Sequence, residues 1–142
     1  MHRFFGPGIG LLLGWVVALP ATAQRSPTPP AITLHEPRAD PVLPVALLPF
    51  TIAPELCRQG HVPRIALRVY NSLSQSVAVL RLVRDRPTAR LDSLPLKCGD
   101  YVALWDGTVA NGTKVASPGL YFFRLTADGG LGQTRKLILL AP

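Results

Sequence analysis

Apolar and polar residues alternate through much of residues 96–140, and pairs of turn residues interrupt the alternation. The pairs are Asp106-Gly107 and Asn111-Gly112, which tolerate the positive φ angles of tight hairpins. The pattern predicts strands over residues 101–105, 120–127 and 134–140, with the last two joined across residues 128–130. The segment therefore favours an antiparallel β-sheet fold, and it offers no catalytic group.

Earlier in the chain, four further strands are predicted, over residues 47–52, 64–71, 77–83 and 91–96. In the third of these, Val77, Val79 and Leu82 are expected to contribute to the core. Seven short strands in roughly 95 residues, separated by frequent turns, predict an all-β, immunoglobulin-like antiparallel β-sandwich.

Residues 1–23 have the three parts of a secretory signal peptide. A positive start is followed by the apolar residues 9–19 and by the small-residue site Ala21-Thr22-Ala23. The apolar core is about 11 residues long, whereas a bilayer-spanning helix needs about 20. Cleavage after Ala23 is expected, which would place the protein in the bacterial periplasm or outside the cell. An uncleaved anchor helix is the alternative.

A proline-rich segment, residues 24–44, follows the leader, with prolines at positions 27, 29, 30, 37, 41 and 44. Proline removes backbone donors and favours extended chain, so this segment is predicted to be a semi-rigid spacer outside any sheet. The folded domain is accordingly expected over residues 45–142.

Cys57 and Cys98 are the two cysteines of the chain. Disulfides persist in the oxidising compartment that the leader predicts, so one intramolecular bridge is expected. Closing a loop of about 40 residues would stabilise the fold by roughly 4 kcal/mol. Two free thiols, or a bond to another chain, are the alternatives.

The formal net charge is +7. Its densest cluster, Arg81, Arg84, Arg86 and Arg90, lacks the interleaved aromatic residues of a single-strand nucleic-acid platform. The charge therefore indicates solvation and surface adhesion, and nucleic acid is not an expected partner.

Catalytic and metal-binding patterns are not recognisable in the sequence. His35 and His61 lie in no nucleophile or zinc motif. Asp100, Asp106 and Asp128 are too scattered for a calcium loop. We expect a protein that is not an enzyme and that has no cofactor and no metal.

The Trp105-Asp106-Gly107 triplet has two interpretations. Trp105 continues the alternation of Tyr101 and Ala103 into the core while Asp106 shapes a turn, or the aromatic ring and the carboxylate bind a sugar or a cation. The first interpretation is preferred, and the Asn111-Gly112 pair is likewise assigned to a turn.

A partner surface is predicted from the outward positions of the strands. Leu104 and Phe122 are expected to form an outward patch, which is either a partner site or an inter-sheet packing surface. Arg81, Arg84 and Arg124 are the other residues assigned to the candidate partner surface.

Three segments together resemble the immunoglobulin-like domain of the FlgD (flagellar hook-capping) family, as found on exported bacterial proteins. They are residues 65–80, residues 98–107 with Asn111-Gly112, and residues 119–125 leading to Thr134-Arg-Lys-Leu137. The resemblance covers roughly residues 47–140. A related resemblance, to the C-terminal sorting tails of type IX secretion, covers the Val-Tyr-Asn strand and the final Lys-Leu-Ile.

The FlgD-like resemblance implies a binding or scaffolding module. With the leader, it predicts a non-enzymatic exported protein that binds or supports a protein partner in the cell envelope or outside the cell. One alternative is a carbohydrate or surface adhesion module that uses Tyr70 or Trp105 with nearby arginines. The other is a C-terminal sorting-type domain of a secretion system.

Overall fold

The computed structural model describes residues 8, 10–23, 27–39, 45–83, 89–110 and 112–140. Within them the chain forms twelve strands and one short 3-10 helix. The strands are β1 (Ile32–Leu34), β2 (Arg38–Ala39), β3 (Ala46–Ile52), β4 (Arg64–Tyr70), β5 (Ser76–Val79), β6 (Arg81–Leu82), β7 (Leu94–Pro95), β8 (Gly99–Trp105), β9 (Thr108–Val109), β10 (Lys114–Val115), β11 (Gly119–Ala127) and β12 (Leu131–Leu139). The helix spans Pro54–Gly60, between β3 and β4. None of the described helices is long and apolar enough to cross a membrane.

Two antiparallel sheets face each other. The first has the order β1-β3-β8-β6, with β2 also paired to β3, and the second has the order β12-β11-β4-β5, with β7 paired to β4. The β9 and β10 strands form a separate two-stranded antiparallel sheet. The predicted antiparallel β-sandwich is thereby confirmed.

The core lies between the sheets and contains the inward side chains of both. Trp105 is 2% exposed and packs on Tyr121 and Phe123, with ring centroids 5.3 and 5.5 Å apart. Its indole N–H donates to the carbonyl oxygen of Thr108 at 2.9 Å, so the buried polar atom is satisfied. The core interpretation of Trp105 holds, because β8 alternates inward at Tyr101, Ala103 and Trp105.

The predicted strand over residues 77–83 is divided between the two sheets. It begins as β5 in the second sheet and continues as β6 in the first. At the change of sheet, the buried Leu80 donates its N–H to Leu67 and accepts a bond from the N–H of Leu91. The core residues are consequently Leu80 and Leu82, whereas Val77 and Val79 are half-buried. The next predicted strand, 91–96, is shorter, since only Leu94–Pro95 pairs with β4.

The spacer prediction is wrong for residues 32–39. Strand β1 pairs with β3, from Ile32 opposite Ile52 to Leu34 opposite Phe50, and β2 pairs with the start of β3. Ile32 and Leu34 are buried in the core. The flanking prolines do not prevent this pairing, because none of them lies within β1 and each of its three residues keeps its backbone N–H. The sandwich therefore begins before residue 45.

A disulfide joins Cys57 in the 3-10 helix to Cys98 just before β8, with their Cα atoms 6.0 Å apart. This is the predicted bridge. It ties the connection between β3 and β4 to the entrance of the central strand β8.

Candidate binding surfaces

The side chains of a strand point alternately into the sandwich and away from it, so each sheet has an outer face. Leu104 of β8 lies on the outer face of the first sheet, and Phe122 of β11 lies on the outer face of the second. The prediction that these two residues form one patch is wrong, because their strands belong to different sheets. Arg81 lies opposite Leu104 on the neighbouring strand, and Arg124 lies on the same face of β11 as Phe122. Arg84 and Asn111 lie outside the described residues.

The outer face of the first sheet carries aliphatic side chains at its centre. Register places Leu47 opposite Leu104 and Pro49 opposite Val102. Val83 extends the same layer, since its N–H donates to the carbonyl oxygen of Val102 at 2.9 Å. Leu47 is 39% exposed and Val83 is 47% exposed. We call these five residues the aliphatic face.

Charged and polar groups border the aliphatic face. Arg38 is opposite Leu47 on one side, and Arg81 is opposite Leu104 on the other. At one end, the Thr51 hydroxyl donates to an Asp100 carboxylate oxygen at 2.6 Å and lies 2.9 Å from His35 Nε2. The face thus has an apolar centre and a polar border, which is the usual anatomy of a protein contact surface.

A small cleft adjoins the aliphatic face where β5 passes into β6. It encloses about 150 Å³ and is lined by Arg81, Arg90, Leu104 and Asp106 among others. This volume is below the several hundred Å³ of ordinary small-molecule sites.

Asp106 organises the turn beside this cleft. Its carboxylate accepts bonds from the N–H and the hydroxyl of Thr108, at 2.9 and 2.6 Å. Burial acts to raise the pKa of Asp106, but these bonds and the nearby Arg81 together hold it below its usual value. Gly107 follows with a φ of 76°, a conformation that favours glycine. The Asp106 carboxylate therefore stabilises the turn, as the sequence predicts.

The outer face of the second sheet is basic and aromatic. Tyr70 of β4 lies opposite Phe122 of β11, which in turn lies opposite Lys136 of β12. One row further along, Arg68 lies opposite Arg124. We call these five residues the basic aromatic face.

The basic aromatic face is only partly evident from the sequence as a site. Tyr70, Phe122 and Arg124 were candidate residues, whereas Arg68 and Lys136 were not. The alternation of each strand could have placed all five outward. Their proximity depends on the order β12-β11-β4, and strand order is not contained in the alternation.

A polar cluster joins the β11–β12 turn to the start of β4. One oxygen of Asp128 accepts the N–H of Arg64 at 2.9 Å, and the other lies 2.9 Å from His61 Nε2. The Arg64 N–H and then His61 hold the pKa of Asp128 below its usual value. In the described part of the chain, no three His, Cys, Asp or Glu side chains are grouped so that they could hold a metal ion.

Comparison with known proteins identifies a similar fold. No protein-family model matches the chain, and no curated protein matches it. A solved structure, the sensor domain of the anti-sigma factor RsgI4 of Pseudobacteroides cellulosolvens, is similar with a TM-score of 0.51 and 14% sequence identity. The match covers 82% of this chain and 100% of the sensor-domain chain. At this identity the similarity shows the fold alone.

Proposed function

We propose that this chain is a non-enzymatic exported module that binds a protein partner through its aliphatic face. The observation that carries the proposal is the row Arg38, Leu47, Leu104 and Arg81, which crosses the first sheet with two leucines between two arginines. An apolar centre excludes water from a contact, and the charges at its border select the orientation of the partner.

The chemistry of the row also specifies the partner. The arginines at both sides favour a protein that carries acidic residues around an apolar patch. Association would remove the exposed parts of Leu47 and Val83 from water, at about 25 cal/mol for each Å² of apolar surface.

Three further considerations support this role. The leader predicts export, the resemblance to the FlgD-family domain implies scaffolding, and the solved structure of similar fold is the sensor domain of an anti-sigma factor. Because the leader predicts export, we propose that the protein is located in the bacterial periplasm or outside the cell.

The proposal is tested by site-specific crosslinking followed by reconstitution. A photo-reactive residue at position 47 should crosslink to one protein of the native envelope, and the same residue at position 120 should not. Leu47 and Leu120 form a matched pair, since they are 39% and 37% exposed on opposite outer faces.

Affinity between the two purified proteins then decides the result. Leu47→Asp should weaken binding by more than about tenfold, because it buries a carboxylate among apolar atoms, while Leu120→Asp should change it less than about twofold. Melting temperatures of both variants establish that each is folded. Crosslinks at position 120 alone, or binding that Leu47→Asp leaves unchanged, would contradict the proposal.

A further inference from the structure

In the part of the chain that the structure describes, two cations of the basic aromatic face have no ion-pair partner. Arg68 and Arg124 occupy directly opposite positions on neighbouring strands, an arrangement that destabilises a sheet when both charges are alike. Asp92 compensates Arg68, with 2.5 Å between Nη2 and the carboxylate oxygen. Of the ion pairs within the described ranges, none involves Arg124 or Lys136.

The position of Arg124 leaves its charge accessible. The residue is exposed, and its guanidinium lies across β12 at Gly132, where an added Cβ would be 3.6 Å from Nε. Lys136 is also exposed and lies on β12, the strand that contains Gly132. Arg124 and Lys136 are diagonal positions on adjacent strands, whose Cα atoms are roughly 7–8 Å apart. The Arg124 guanidinium extends toward Gly132 and away from Lys136, so the two cations can engage separate anionic groups of one extended ligand.

Two aromatic rings lie beside these cations. Tyr70 and Phe122 are half-buried at directly opposite positions on the two central strands of the second sheet. Such side chains offer large contact area and are held by the packing of the sheet around them. The surface therefore combines an aromatic platform with accessible positive charge.

We propose that the basic aromatic face binds an anionic polysaccharide. Carboxylate or sulfate groups would pair with Arg124 and Lys136, and the apolar face of a sugar ring would lie on Tyr70 and Phe122. This contact is separate from the aliphatic face and does not depend on it. Charge complementarity selects an anionic ligand. The predicted export leader favours polysaccharide over nucleic acid, although both are polyanions.

Binding of named polymers to matched variants tests the proposal. The probes are heparin, which is sulfated, and polygalacturonate, which is carboxylated, with neutral dextran as the uncharged control. The double variant Arg124→Ala/Lys136→Ala should bind both anionic probes more than about tenfold more weakly than the unmodified protein. Its control, Arg58→Ala/Lys114→Ala, removes the same charge from exposed positions outside this face and should stay within about twofold.

The aromatic contribution is measured separately. Phe122→Leu keeps an apolar side chain and removes the ring, so it should weaken binding several-fold, whereas Leu120→Ala should not. Equal losses in the two double variants would show attraction by net charge alone and would overturn the proposal. Tighter binding to a single-stranded oligothymidylate or to polyglutamate than to both polysaccharides would also overturn it, as would equal binding to dextran.

Discussion

Single residues explain why the sequence predicts the centre of this fold well. Trp105 ends a strand that alternates without interruption, and the Asp106-Gly107 pair immediately after it ends the strand. Both signals are local, so neither depends on which strands become neighbours. The structure accordingly buries Trp105 and uses Asp106 in the turn.

A second local pattern is evident only in the structure. Tyr101 and Tyr121 each donate a hydroxyl bond to the backbone carbonyl four residues earlier, at 2.6 and 2.7 Å. Each tyrosine follows a glycine two positions before it, and Gly99 and Gly119 have φ angles of 149° and 146°. The repeated Gly-x-Tyr sequence is visible in the chain, but nothing in its spacing predicts the bond. It is similar to the tyrosine corner of immunoglobulin-like sandwiches.

Asp128 makes the stability of the domain sensitive to acid. Its folded-state pKa is below the ordinary 3.8, first because it accepts the Arg64 N–H and then because of His61. A lowered pKa means that the carboxylate stabilises the fold fully above about pH 4 and ceases to do so as the pH falls through its folded-state pKa. We expect denaturant midpoints to fall over this range, and less in Asp128→Asn than in the unmodified protein.

The control for acid sensitivity is Glu55→Gln, which removes an exposed carboxylate from the 3-10 helix. This variant should keep the full acid dependence. Asp106 also has a lowered pKa and contributes with the same sign, so Asp128→Asn should retain part of the dependence. An acid-induced loss of equal size in Asp128→Asn and the unmodified protein would show that the Asp128 cluster does not stabilise the fold.

Among the elements, β1 shows where sequence patterns fail. A strand of three residues is too short for alternation to be recognised, and the proline-rich composition around it predicts a spacer. Distant contacts decide the outcome. Leu34 donates its backbone N–H to the side-chain oxygen of Gln133 at 2.8 Å. The Arg135 guanidinium donates to the carbonyl oxygen of Leu34, also at 2.8 Å. These bonds satisfy backbone groups at the edge of the first sheet and connect it to β12.

The contribution of β1 is measured by Leu34→Ala. Leu34 is 0% exposed, so truncation should destabilise the domain by about 2–5 kcal/mol through lost burial and a residual cavity. Leu73→Ala is the control, because Leu73 is 76% exposed and its loss should change stability by less than about 0.5 kcal/mol. The measurement is the free energy of unfolding from denaturant titration. Equal values for the two variants would show that residues 32–34 do not belong to the folded core.

At the scale of the whole molecule, the sandwich separates two surfaces of different chemistry. The alternation in each strand predicts which residues point outward, and this held for Leu104 and Phe122. It cannot say which sheet receives a strand, because that depends on packing between segments far apart in sequence. The predicted single patch therefore becomes an aliphatic face on one sheet and a basic aromatic face on the other.

The separation of these two faces is the central claim about how the protein works. Backbone amide chemical shifts, recorded while heparin is added to isotopically labelled protein, test it residue by residue. Shifts should change in β4, β11 and β12, around Tyr70, Phe122 and Lys136, and should remain constant in β3 and β8, around Leu47 and Leu104. Changes centred on β3 and β8, or spread equally over basic residues elsewhere, such as Arg58 and Lys114, would contradict the claim.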